Sequence, residues 1–449
     1  MKYRVVHSQD VFDVMRFDGS YHNADANIYD GVIKKHSSHN LSYYCSEIFT
    51  SGRNKRVYTR PEFGYPFLSN SDVVSSNPFM SCKYSSKKYG YDEGAVLKSG
   101  MIVTGRVGAI GQTAFIPAYL EKAKAMGSDN IIRIFVKPQY KNGFIYAYLA
   151  SKVGNLSFWK HATGGVQPFI TDAMVGNLPV PDFSNEFQSQ VNELIIDAYK
   201  LRDEAASALK EAHTIIEGQF YTPCTGGKNA VQISNVLASH NTRFEASYHT
   251  STNRAIYDYI TSNFEYRKLE ELTSNIFRPG IFKREYVKDG VTFLGGADIL
   301  MSIPNSDKKL SYRQVSKMPE LKVKKGWILV TCGGTIGNCV LIDNQLEKCV
   351  VSQHVMRIVP EETTFKGYLY AVLSSKVGHD LISMFTTGSV IPQIESHHLG
   401  LVPIPIMEES QMQRVDSLIA SYTSKIEESK EKETLAIALV EQEIEKWNN

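Results

Sequence analysis

The chain has 449 residues, 43% of them hydrophobic and 11% aromatic, and a formal net charge of +2. That is globular composition with enough apolar mass for more than one core. No apolar run approaches the ~18 residues of a membrane span and the opening MKYRVVHSQD has no apolar signal core, so a cytoplasmic protein is expected. Cys45, Cys82, Cys224, Cys332, Cys339 and Cys349 follow neither CxxC nor metal-ligand spacing; they read as reduced thiols, and no metal site is expected.

The first signature in the chain is Arg16-Phe17-Asp18-Gly19-Ser20-Tyr21-His22. It serves either buried structural hydrogen bonds or function. Residues 51–106 then hold nine basic residues against four acidic ones. Within them, Ser76-Asn77-Pro78-Phe79 looks like the [DN]PP[YF] motif of amino-methyltransferases. It lacks the second proline and a glycine-rich strand-to-helix turn, so a plain turn is expected. Gly100 to Ile116 reads as strand, glycine turn, strand. No helix follows Gly105-x-x-Gly108-x-x-Gly111, which argues for a turn or bulge rather than a nucleotide loop. Residues 143–156 read as a helix, residues 163–168 as a loop, and a short strand leads into Pro179-Val180-Pro181. From Phe187 to Phe220, apolar or small residues fall at Val191, Leu194, Ala198, Leu201, Ala205, Ala208, Ala212 and Ile215. This alternating 4-3 spacing is a heptad seam, and a helix of ~35 residues is roughly 50 Å long. Residues 221–242 read as a connector.

After the connector the chain begins again. Arg243-Phe244-Glu245-Ala246-Ser247-Tyr248-His249 repeats the first signature, and Ile256-Tyr257-Asp258 repeats Ile28-Tyr29-Asp30. Residues 278–325 hold eleven basic residues against five acidic ones, and Gly326 to Ile342 repeats the strand–glycine–strand unit. Gly367 to Pro405 matches Gly143 to Pro181 at an offset of 224 without a gap, with sixteen of 39 positions identical. That density marks an internal duplication, and the period is far too long for a solenoid. The loops between the shared anchors differ, as expected of one scaffold with two ligands. His397-His398 occurs only in the second copy and is expected at the surface. The last segment places Ile419, Tyr422, Ile426, Ser429, Glu433, Ile437, Val440, Ile444 and Trp447 in one helical register with a polar middle.

Charge is polarised along the chain. Residues 184–220 carry seven acids against three bases and residues 408–449 ten against five, so the remainder holds +11. Basic regions at corresponding places in two copies suit phosphate contact as well as a solvated surface. Catalysis has little to stand on: GxxxxGK[ST], HExxH and GxSxG do not occur.

These features resemble the specificity subunit of type I restriction-modification systems. The resemblance rests on the two half-repeats, on the closing signatures TGGVQPFI…GNLPVP and TGSVIPQI…GLVPIP, and on VTGRVGAIG and VTCGGTIG. It implies an α+β chain with two pseudo-repeated target-recognition domains, residues 1–183 and 221–407. Each is followed by a long helix, residues 184–220 and 408–449, and the helices pair as an antiparallel coiled coil. The seam is expected at Val191, Leu194, Ala198, Leu201 and Ile215 against Ile419, Tyr422, Ile426, Ile437, Val440 and Ile444. The resemblance further implies a non-catalytic subunit that reads a bipartite duplex DNA site. Its partners would be two modification subunits, which carry S-adenosylmethionine and methylate adenine, and restriction subunits, which use ATP and Mg; no cofactor is expected in this chain. Candidate DNA contacts, chosen by charge and position, are Arg53, Lys55, Arg56, Arg60, Lys83, Lys87, Lys88, Arg106, Gln167, Arg278, Lys283, Arg284, Arg313, Lys322, Lys324 and Gln393. Three alternatives stand beside this reading. They are a subunit of a stand-alone methylase or a related type II system, an enzyme with its own active site, and a DNA-independent scaffold.

Overall fold

The computed structural model describes residues 5–22, 26–37, 39–53, 55–221, 230–239, 242–245, 248–249, 252–388 and 392–447. Ala246-Ser247, Val390-Ile391, Cys224, the side chains of Ser20 and Asp30 and part of the 221–242 connector lie outside the described residues. The chain divides into two units, one of Met1–Asp203 with Glu428–Asn449 and one of Glu204–Glu427.

In the first unit, strands Cys45–Thr50, Ile131–Val136, Ile102–Gly105 and Thr113–Phe115 form an antiparallel sheet in that spatial order. Its central strands are apolar runs because both faces are covered. Ile102, Ile132 and Ile134 face a core containing Phe144, Tyr148, Phe158 and Val191. Their neighbours Val103 and Ile131 face a second core with Leu68, Leu97 and Met101, as strand alternation requires. A smaller sheet of Tyr58–Thr59, Lys83–Ser86, Gly64–Leu68 and Met126–Gly127 ends in a parallel pair. The second unit repeats both sheets. The larger has Thr273–Phe277, Val355–Pro360, Ile328–Thr331 and Cys339–Leu341; the smaller has Tyr286–Val287, Lys309–Leu310, Val291–Leu294 and Val350–Val351. A register shift falls at the same point of the first strand in each, between Cys45 and Glu47 and between Thr273 and Asn275. The duplication is therefore one of backbone as well as sequence.

The stretch expected as one helix over 143–156 is two helices, Asn142–Ala150 and Lys152–His161. Ser151 interrupts it in an extended conformation, accepting from the Gly154 amide at 3.1 Å and donating to the Tyr148 carbonyl at 2.6 Å. Ser375 does the same for Gly378 and Val372. A Cβ on Gly154 would lie 2.2 Å from the Tyr148 carbonyl oxygen. The recurring Ser-Lys-Val-Gly is thus a helix N-cap followed by a residue with no room for a side chain. A short helix, Asp172–Gly176, capped by Thr171, also precedes the strand Pro179–Val180 where a strand alone was expected.

Two long helices, Asn185–Phe220 and Glu409–Trp447, complete the fold. In the first unit Lys432 lies 3.6 Å from Asp197, and the Arg202 Nε donates to Ser429 Oγ at 2.9 Å. In the second, Arg414 pairs with Glu211 at 2.7 Å, and Lys425 pairs with Glu204. Within each unit the pairing is antiparallel. Val191, Ala198, Ile419, Tyr422, Val440 and Ile444 are buried, whereas Leu194, Leu201, Ile215, Ile426 and Ile437 are partly buried. The buried stripe of the central helix runs through Ile195, Leu209 and Ile216, one position later than Leu194, Ala208 and Ile215. Within each unit the long-helix segments pack on that unit's apolar core as well as on one another, which demands a broader apolar stripe than a two-stranded seam. Among the described residues no helix is long and apolar enough to cross a membrane.

His213, on the central helix, meets the Ser374 hydroxyl at 2.9 Å. Burial lowers its pKa to about 4. The unfolded chain therefore binds the proton first as pH falls, so stability present above pH ~6.5 is lost between there and about 4. His213→Gln is expected to flatten that part of a pH-dependent urea-denaturation profile. Glu217, whose carboxyl burial draws upward, acts in the opposite sense, so the variant rather than the raw profile isolates the histidine.

Candidate nucleic-acid interface

The repeated Arg-Phe-x-x-Ser-Tyr-His signature is used structurally. Arg16 donates to the carbonyls of His161 and Ala162 at 3.0 and 2.9 Å, and His22 meets the Arg16 carbonyl at 2.7 Å. Arg243 donates to the carbonyls of Phe385 and Thr386 at 3.3 and 2.8 Å, and His249 meets the Arg243 carbonyl at 2.6 Å. Each arginine satisfies the open carbonyls at a helix C-terminus, where a cation is favoured. His398, expected at the surface, is buried on the short helix Ser396–Gly400, while His397 is exposed. Burial raises the Cys45, Cys82 and Cys339 thiols to about 12, which keeps them protonated and unreactive near neutral pH.

The basic residues of the first unit gather on the outer face of the small sheet. Strand pairing puts Tyr58, Ser85 and Tyr65 on one face, with Lys83 and Phe67 beside them. Leu68, on the opposite face, is buried in the core. Lys83 lies over the Tyr58 ring at 4.7 Å and Lys87 over Tyr65 at 5.5 Å. Lys124 lies between Tyr65 and Tyr91, at 5.5 and 5.9 Å, and Lys88 over Tyr89 at 5.1 Å. Ring faces hold these ammonium groups in place without neutralising them. Beside them a hollow is lined by Lys55, Arg56, Phe67, Ser85, Asp92 and Asp129. Arg53 and Arg60 are exposed on the same loop region. The sequence pointed to the cations but not to Tyr58, Tyr65, Tyr91, Lys124 or Asp129 as their neighbours, because these residues meet only through strand pairing and loop packing.

Two other residues stand apart from this face. Arg106 is half-buried at the end of Ile102–Gly105, its carbonyl accepting from Ile170. Gln167 is exposed on the loop closed by the Thr163–Phe169 bridge, and Val107 bridges Phe169. Those two loops form a second cluster.

In the second unit Arg278 is bound by both oxygens of Glu395, at 2.7 and 2.8 Å, which commits its charge to an ion pair. Lys283 is exposed, and Arg284 donates to Gln353 at 3.2 Å. Arg313, Lys322 and Lys324 are exposed on and after the helix Tyr312–Lys317. Gln393 is exposed, hydrogen-bonded through its backbone to Thr387 and bridged to Gly333. The first unit thus presents several cations over aromatic rings on its small sheet and the second a single one, Arg284 over Phe293, and each unit has a separate glutamine-bearing loop. That combination suits phosphate contact and base-edge contact on nucleic acid.

Residues 232–436 match the family model of the type I restriction modification DNA specificity domain. Among solved structures, the chain is similar to a type I restriction-modification S subunit from M. genitalium, with 14% identity over 91% of this chain and 94% of that one, at a TM-score of 0.34. It is likewise similar to the HsdS subunit from Thermoanaerobacter tengcongensis, with 15% identity over 90% and 95% of the two chains, at a TM-score of 0.30. No curated protein sequence matches significantly.

Proposed function

We propose that the chain belongs to the family of type I restriction modification DNA specificity domains, whose model residues 232–436 match, and that it is the non-catalytic, DNA-reading subunit of such a system. The duplication carries the reading. The first unit has the same two sheets, the same register shift and the same capped helix break as the second, so both are built to do one job. Each unit reads one block of a bipartite site. The lysines held over tyrosine rings grip phosphates, and side chains around the hollow and the glutamine loops reach base edges in the major groove. The acidic long helices keep clear of DNA, set the distance between blocks, and dock modification and restriction subunits. S-adenosylmethionine on the former and ATP with Mg on the latter supply the chemistry; this chain supplies the address.

The test is adenine-methylation mapping in a host without other methylases, with the chain and its neighbouring modification subunit expressed together. Two short specified blocks around an unspecified spacer are expected. Deleting one heptad from each long helix is expected to change the spacer and leave the blocks intact. A stable complex that methylates nothing would overturn the proposal in favour of a DNA-independent scaffold. Methylation or cleavage by the purified chain alone would overturn it in favour of an enzyme.

A further inference from the structure

The two units keep one arginine in the same setting. Arg56 lies over the Phe67 ring at 5.8 Å and donates to Asp129 at 2.5 Å. Arg284 lies over the Phe293 ring at 5.4 Å and donates to Gln353 at 3.2 Å. Lys-Arg recurs at 55–56 and 283–284, and Asp129 and Gln353 occupy corresponding places at the duplication's offset of 224. Phe67 and Phe293 begin the parallel strand pair of each small sheet, opposite Met126 and Val350. Arginine, ring and acceptor have been retained together, while the acceptor has changed from carboxylate to amide.

A guanidinium pinned between a ring face and a side-chain oxygen is fixed in plane and direction. A phosphate does not require such fixing, since lysines such as those around Arg56 can grip it as point charges. A planar, acceptor-only target gains a great deal. The guanidinium has five donors and no acceptor, and in the major groove guanine presents the adjacent acceptor pair, N7 and O6, that a bidentate arginine fits. The Arg56 side chain is 49% exposed although Asp129 is only 12% exposed, so the holder is seated and the held group faces solvent. The second oxygen of Asp129 takes Arg53 at 3.2 Å; the corresponding position of the second unit is Ile281.

We propose that Arg56 and Arg284 are guanine-reading residues, one for each block of the DNA site, with Asp129 and Gln353 as positioning residues. This rests on the DNA-specificity reading above. Each block then contains a guanine whose recognition depends on one arginine alone.

The experiment compares methylation motifs and duplex affinities of the full complex carrying wild-type chain, Arg56→Ala, Arg284→Ala or Asp129→Asn. Arg56→Ala is expected to lose preference at one guanine in one block only, by roughly five- to hundred-fold, and Arg284→Ala at one guanine in the other. Asp129→Asn is expected to relax the same position as Arg56→Ala, by less. The wild-type complex, tested on duplexes with 7-deazaguanine at each guanine in turn, is expected to lose affinity at those same two positions. That measurement needs no variant to fold. An unchanged motif with affinity lowered evenly across sequences makes these arginines phosphate contacts and overturns the proposal, as does indifference to 7-deazaguanine. A wild-type complex with no bipartite motif is a different outcome, and refutes the specificity reading itself.

Discussion

Exchanging Arg202 for isoleucine is expected to lower the unfolding free energy of the first unit by about 3–5 kcal/mol, because it leaves Glu433 buried without its partner. Glu433 is 2% exposed. It accepts from Arg202 and from the Tyr146 hydroxyl. Tyr146 in turn accepts from Tyr199 at 3.2 Å, and Arg202 also donates to Ser429 at 2.9 Å. Burial opposes the Arg202 charge, but Glu433 outweighs it, so the guanidinium is held above its ordinary range. Burial, reinforced by Glu433, pushes the Tyr146 phenol well up. Glu433→Leu is expected to cost a similar amount, since it strands the arginine.

The duplication supplies the control. At the offset of 224, Arg202 corresponds to Ile426 and Glu433 to Leu209, both within the apolar packing of the second unit. The double variant R202I/E433L writes that layer into the first unit, and it is expected to recover most of the loss seen in either single variant. The shortfall should be roughly 1–3 kcal/mol, the cost of the Tyr146 hydroxyl left without an acceptor, and Tyr146→Phe should remove it. Urea denaturation of the four variants measures this directly. Additive single and double effects would mean that the pair does not act as a unit. A buried ion pair adds little net stability over an apolar layer; what it adds here is register. Sliding either helix by a heptad would set a charge against an apolar position, so one alignment of the two helices in this unit is favoured over its neighbours.

Much of this architecture was legible in the sequence because duplication repeats constraints that backbone geometry imposes. Ser151-Lys152-Val153-Gly154 recurs because a cap and a close approach leave few alternatives, and the prolines after it recur because they close a strand. What the sequence hid was partnership. Arg56 stood out by charge, but Asp129 lies 73 positions away in a stretch with no periodic signal. Glu433 reads as a polar interruption of a seam, while Arg202, 231 positions away and outside the expected seam, gives no signal of its own. The seam itself is displaced in places because heptad spacing assumes one partner surface, and each long helix has two. The arginines with the deepest burial were overlooked entirely. Arg133 and Arg357 are the lone charged residues in IIRIFV and VMRIVP, again 224 apart; a charge repeated at the centre of an apolar strand was the signal.

Replacing Arg133 with methionine is expected to destabilise the first unit by about 3 kcal/mol or more, and Arg357→Met the second by a similar amount. Both arginines are fully buried. Arg133 donates to the carbonyls of Ile131, Ala95 and Gly127 at 2.9, 3.1 and 2.6 Å. Arg357 donates to Ser352 and Val355 at 2.9 and 2.6 Å and also to Val351 and Leu321. Burial lowers each pKa to about 10, which leaves both charged at neutral pH. Methionine fills part of the volume but donates nothing. Each stranded carbonyl then costs on the order of 1–3 kcal/mol. Lysine is a sharper comparison. It keeps the charge but not the planar fork that reaches several carbonyls at once, so Arg133→Lys should fall between wild type and methionine. The consequence for function is local, because Ala95 and Gly127 line the same hollow as Arg56 and Asp129. Arg133→Met should therefore blur recognition of one block of the DNA site while the other block stays specified. Thermal denaturation and motif mapping on the same variant read out both effects. A stable Arg133→Met chain would mean that those carbonyls find other donors, and that the arginine is not what ties the floor of the hollow to the sheet beneath it.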